Sequence, residues 1–193
     1  MNRQLIPGLR VAALAVAVAA TAALGAGVAT SATAAVSTSR TQAPVAACAT
    51  SHLRVWYGEP AGAAAGSSYI PLEFSDIGST SCALYGFPGV SGVTVSGAQL
   101  GSPARWNHVI APRTVVLTPG GTAHVILQIV DVFNYSPTAC KPTKAYGLRV
   151  YPPNQKASVV LPLAFEACAK GGPTYLAVDP VNAGPGIPLY TDN

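Results

Sequence analysis

The chain has 193 residues, only 9% of them charged, and a formal net charge of +4. Charged residues normally make up roughly 25% of a domain, so solubility here rests on Ser, Thr, Asn, Gly and Pro. The basic residues are spread thinly, the closest cluster being Lys141, Lys144 and Arg149, which excludes a nucleic-acid-binding patch.

The first 34 residues read as an export signal. Arg3 and Arg10 form a basic start, Val11 to Val28 is an unbroken run of small apolar residues, and Ala32-Thr33-Ala34 supplies a small-x-small cleavage site. An Ala-rich run followed by such a site favours a cleaved signal over an uncleaved N-terminal anchor. Cleavage would leave about 159 residues, enough for one domain with a real core, with nine basic and seven acidic residues. The mature chain would be extracellular, secreted or held at the cell surface, with no membrane segment. It would contain no Met to oxidise, because the only one is Met1.

Residues 35–47 have linker composition, Ser, Thr, Ala, Gln and Pro without an apolar period. Val45-Ala46-Ala47-Cys48 has the look of a lipobox, but about twenty residues separate it from the apolar run. Lipidation at Cys48 would also leave an odd thiol. A folded domain is expected over 48–180.

Its strand signals are short and divided by turn residues. Leu53 to Tyr57 is β-prone and runs into Gly58 and Pro60. Tyr69 to Phe74 puts Ile70, Leu72 and Phe74 on one face. Pro71 lacks an N–H donor, which predicts an edge position or an irregular start. Cys82 to Gly86 and Val90 to Val95 follow. Val115 to Leu117 leads into Thr118-Pro119-Gly120-Gly121, with Pro and Gly where a type II turn needs them. Thr122 to Val132 is the best strand, Ala123, Val125, Leu127 and Ile129 alternating with Thr122, His124, Ile126 and Gln128. Tyr146 to Tyr151 and Ser158 to Leu163 complete the set, and residues 181–193 form a Gly/Pro-containing tail. About seven to nine strands, no amphipathic helix and turns every 8 to 12 residues predict an all-β antiparallel sandwich.

Cys48, Cys82, Cys140 and Cys168 are an even set in an exported chain, which implies disulfides. Three pairings are open; the sequence-neighbour pairing closes two loops of similar length. No two cysteines lie within twenty residues of each other, unlike zinc-site spacing, so no metal is expected.

Cys82-Ala83-Leu84-Tyr85-Gly86-Phe87-Pro88-Gly89-Val90, the Pro119-Gly120-Gly121-Thr122-Ala123 turn and the four cysteines together resemble the actinobacterial exported family called domain of unknown function 4232. The resemblance covers about residues 48 to 165. It implies an immunoglobulin-like sandwich, a secreted or surface location and two disulfides, and it implies no activity. Ser75-Asp76 departs from the Asn often found after the aromatic residue, and Ser91 to Gly97 is slightly expanded.

No catalytic constellation is legible. His52, His108 and His124 have no nucleophile at a telling spacing, and Gly89-Val90-Ser91-Gly92 lacks the second glycine of a nucleophile elbow. Among the carboxylates Glu59, Glu73, Asp76, Asp131, Glu166 and Asp179, Glu73 and Asp76 differ by an odd step and would face opposite ways. There is no H-E-x-x-H and no phosphate-cradling loop, so neither an enzyme nor a cofactor is expected. Trp56 reads as a core residue near a disulfide. Trp106, with Arg105, is the candidate surface anchor, since Trp and Arg dominate interface hot spots. The expected function is a monomeric, non-catalytic binding module whose partner is an envelope glycan, peptide or protein. The alternative is a secreted hydrolase or a protease inhibitor, the inhibitory loop being Ser136-Pro137-Thr138-Ala139-Cys140.

Overall fold

The computed structural model describes residues 44–60 and 62–186. The export signal at 1–34 and most of the linker at 35–47 lie outside these residues, as does the tail beyond 186. The two best strand signals become neighbours in one sheet. In β9 (Thr122–Val130) the residues Ala123, Val125, Leu127 and Ile129 are buried. In β3 (Ser67–Asp76) so are Ile70, Leu72 and Phe74. Antiparallel pairing sets Phe74 opposite Ala123, Leu72 opposite Val125 and Ile70 opposite Leu127, so both apolar stripes share one face.

β1 (Leu53–Tyr57) adds to the other edge of β3, while β12 (Leu176–Val178) and then β7 (Arg105–Trp106) extend the sheet beyond β9. Short β2 (Gly62–Ala64) pairs with the start of β3, and β13 (Asn182–Ala183) with the start of β9. A second sheet runs in the order β11 (Val159–Cys168), β10 (Pro142–Tyr151), β5 (Gly89–Val93), β6 (Gln99–Leu100). A third ladder joins β4 (Cys82–Tyr85) to β8 (Thr114–Leu117), and Ala47 forms a parallel bridge to Ala83. One core cluster draws Leu72, Phe74 and Leu127 from the first sheet, Leu148 and Val150 from the second, and Leu84 and Leu117 from the third. Each such large side chain stabilises the fold by about 1.5–3 kcal/mol when fully buried.

Among the described residues eight strands have four residues or more, and five have two or three. The long ones agree with the seven to nine expected from sequence. The short ones carry too few residues to show a period, and β12 was missed although Leu176, Ala177 and Val178 are all buried.

The disulfides are Cys48–Cys82 and Cys140–Cys168, with Cα–Cα distances of 4.8 and 4.6 Å. The first ties the chain before β1 to the head of β4. The second closes the open end of the β10–β11 hairpin, where Pro142 pairs with Cys168. Thr118 to Gly121 is the expected type II turn: the Gly121 N–H donates to the Thr118 carbonyl at 2.7 Å, and Gly120 has φ +79°.

Two expectations are corrected and a third is settled between its alternatives. Of the edge position or irregular start expected from Pro71, it is the irregularity that the structure shows: Pro71 lies in a central strand whose ladder is interrupted on one side at residues 70–71. Its carbonyl accepts from the Gly58 N–H at 3.0 Å, so its backbone polar side faces the gap between β1 and β2, where the ladder is already broken. Trp56 is not in the core: Leu53 and Val55 point inward, and parity sends Trp56 outward, where it is 38% exposed. The tail expected from residue 181 is part of the fold as far as Gly186, with Val181 buried and Asn182–Ala183 in a ladder.

Candidate functional site

β7 is an edge strand of the first sheet and pairs with β12 in parallel, Arg105 beside Ala177 and Trp106 beside Val178. The Asn107 N–H continues the ladder onto the Val178 carbonyl at 2.9 Å. Successive side chains of a strand point to opposite faces. Arg105 therefore lies on the outer face, in one row with the outward Gln128, and Asn107 lies on the same face one row further on, while Trp106 turns the other way. The two residues expected to form one anchor belong to two different surfaces.

Trp106 is 50% exposed and stacks on Phe87, with centroids 5.2 Å apart and planes 7° from parallel. His108 meets both rings edge-on, at 5.2 Å from Phe87 and 6.1 Å from Trp106. Offset and edge-to-face contacts of this kind are worth about 0.5–1.5 kcal/mol beyond the buried area. They hold the indole as a flat ledge. Phe87 comes from the loop between β4 and β5, so neither the ledge nor its backing is local in sequence.

On the outer face, Arg105 lines a hollow of about 220 Å³ with Tyr69, Asn107, Ile126, Gln128, Ala177 and Asp179. Asn107 Nδ2 donates to Asp179 Oδ1 at 2.8 Å. Gln128 Nε2 donates to Ser67 Oγ at 2.9 Å and to the Tyr69 hydroxyl at 3.3 Å. Burial holds the Asp179 carboxyl above its ordinary value of 3.8, against the Asn107 hydrogen bond and the charge of His124, which pull it down.

A second row crosses the same face, Trp56 to Glu73 to His124 to Asn182, each the register partner of the next. Glu73 is 1% exposed. Its Oε1 accepts the Gly186 N–H at 2.8 Å, and its Oε2 has no partner among the described residues. His124 Nδ1 lies 2.8 Å from the Gly184 carbonyl, which can only accept, so Nδ1 carries the proton. Burial raises the Glu73 pKa from 4.5, opposed by the Gly186 bond and by His124. The sequence placed His124 on the correct face, but residues 182–186 cover that face. Glu73 and Asp76 do face opposite ways. Asp76 is buried as well, with Oδ1 accepting the Gly78 N–H at 2.8 Å. Sequence spacing missed the Glu73–His124 neighbourhood because β3–β9 register, not chain proximity, creates it.

Ser91 lies buried in β5. Pro137–Cys140 is a single helical turn capped by Ser136, exposed up to Cys140. The segment considered as an inhibitory loop is thus anchored by a disulfide and helical over Pro137–Cys140, with only Ser136 extended. Among the described residues no group of three His, Cys, Asp or Glu side chains could hold a metal ion.

A family model described as "Domain of unknown function (DUF4232)" matches residues 48–185. The chain belongs to this family. The matched span of the DUF4232 domain begins at the first disulfide cysteine and takes in both disulfides and every strand from β1 to β13. No curated protein and no solved structure matches the chain. Two disulfides with no free cysteine point to a compartment outside the reducing cytoplasm. No helix among the described residues is long and apolar enough to cross a membrane.

Proposed function

We propose that this DUF4232 protein is an exported, non-catalytic binding module of an actinobacterial cell envelope, and that it meets its partner through the Trp106 ledge. The partner is an envelope glycan, peptide or protein, and the protein acts as a monomer. One observation carries the reading: a half-exposed Trp held flat against Phe87 and flanked by His108. A pre-positioned aromatic loses little freedom on binding, so it returns more of its contact energy as affinity. The apolar leader at Val11 to Val28 and the disulfide framework support the extracellular setting.

The test is co-sedimentation of the oxidised exported protein with isolated cell walls, with and without their surface proteins. Pelleting that soluble wall glycan abolishes, and that Trp106→Ala removes while leaving the thermal melt unchanged, supports a glycan-binding ledge. Pelleting only with walls that keep their proteins assigns a protein partner. Absence of pelleting in every condition, or full pelleting by Trp106→Ala, removes the reading.

A further inference from the structure

The floor of the hollow beside Arg105 includes one small residue. Ala177 lies in register between Arg105 and Gln128, two long side chains, and is itself 5% exposed. Tyr69 extends this row as the partner of Gln128. The next row on the same face holds Asn107 and Asp179, with the Asp179 N–H bonded to the Ile126 carbonyl at 3.1 Å. Two residues of strand separate the rows, about 6.5 Å. One row therefore brings a guanidinium to the hollow and the other a carboxylate.

The two charges do not satisfy each other. Among the described residues Arg105 forms no ion pair, and the Asp179 carboxyl has one side-chain partner, Asn107. At about 220 Å³ the hollow is smaller than the roughly 300 Å³ at which pockets for drug-sized ligands begin. A small anion would find Arg105 but be repelled by Asp179, and a small cation would meet the reverse. A molecule with both charged groups on one carbon suits both walls. With one hydrogen bond at each end it spans the interval between the rows. Ile126 gives an aliphatic substituent an apolar surface.

We propose that the hollow over Ala177 is a binding site for a free α-amino acid, its carboxylate on Arg105 and its ammonium on Asp179. The site is separate from the Trp106 ledge, because Trp106 points to the opposite side of β7. Burial raises the Asp179 pKa, and an ammonium beside the carboxylate would oppose that rise.

The experiment is a titration of the oxidised protein, followed through the side-chain amide signals of Asn107 and Gln128 in ¹⁵N-labelled material. The probes are free glycine, alanine and leucine, their N-acetyl forms and their carboxamides. The free amino acids are expected to shift both signals, and blocking either end should weaken binding by at least about tenfold, since each block removes a charge-assisted hydrogen bond. Ala177→Leu should abolish binding by filling the hollow, and Trp106→Ala should leave it unchanged. Equal binding of free and blocked forms would overturn the proposal. So would no shift at millimolar concentration, or loss of binding in Trp106→Ala. The comparison of free with blocked probes on the unaltered chain decides the matter even if Ala177→Leu fails to fold. Failure of wall binding leaves this result intact, so the two readings fall separately.

Discussion

Tyr175 fills the space that Gly92 leaves empty: a β-carbon added at Gly92 would run into the Tyr175 hydroxyl. Gly92 lies in β5 of the second sheet and Tyr175 immediately precedes β12 of the first. The tyrosine is fully buried, its hydroxyl donates to the Leu100 carbonyl at 3.4 Å, and its ring packs 6.2 Å from that of Phe165. One aromatic side chain thus fixes the spacing of the two sheets.

Gly92→Ala is expected to lower the unfolding free energy by about 1–3 kcal/mol, the usual cost of overpacking a filled core. Because the clash is with the hydroxyl, the same change in a Tyr175→Phe background should cost less. A double-mutant cycle in urea measures the coupling. Simple additivity would show that the two positions do not compete for space.

The same tyrosine should limit alkaline stability. Burial pushes its pKa from 10.0 to about 12, so between those values the folded protein keeps a proton the unfolded chain has released. Stability is therefore present below pH 10 and lost as the pH rises towards 12. Tyr175→Phe should flatten that part of the curve, as followed by denaturation midpoints across the range.

Glu73 should act in the same direction at lower pH. Its carboxyl is raised above 4.5 by burial, so the folded state holds its proton more tightly than the unfolded chain. Its effect favours the folded state at low pH and is lost as the pH rises from 4.5 through the raised value. Glu73→Gln keeps an oxygen for the Gly186 N–H while removing the charge. It should be at least as stable as the parent at neutral pH and show a flatter profile above pH 4.5. A variant less stable at neutral pH would mean that the carboxylate has a cationic partner.

The disulfides close loops of similar length, with separations of 34 and 28 residues. Replacing Cys48 and Cys82, or Cys140 and Cys168, by Ser should therefore cost about the same, roughly 3–4 kcal/mol in each case. That is a large part of a typical total of about 5–15 kcal/mol, so removing both should leave little folded protein at 37 °C. Thermal melts of the two double replacements and of the quadruple one test this.

Much of the fold is local information. Alternation over Thr122 to Ile129 and Ile70 to Phe74 predicts the central strands, because a period of two exposes one face only. Pro119 and Gly120 specify a type II turn through their own backbone preferences. The even cysteine count after an export signal predicts disulfides, because redox chemistry follows compartment. Tertiary structure alone decides which of the three pairings forms, through the meeting of Cys48 with β4 and of Cys140 with the end of β11. It alone decides that Trp56 faces outward, that Glu73 and His124 share a row, and that Arg105 and Trp106 serve opposite faces. It also places Ala177 between Gln128 and Arg105, where the three line one hollow. The reason is the same in each instance: register between strands far apart in the chain sets these neighbours, and no residue's own propensity encodes it.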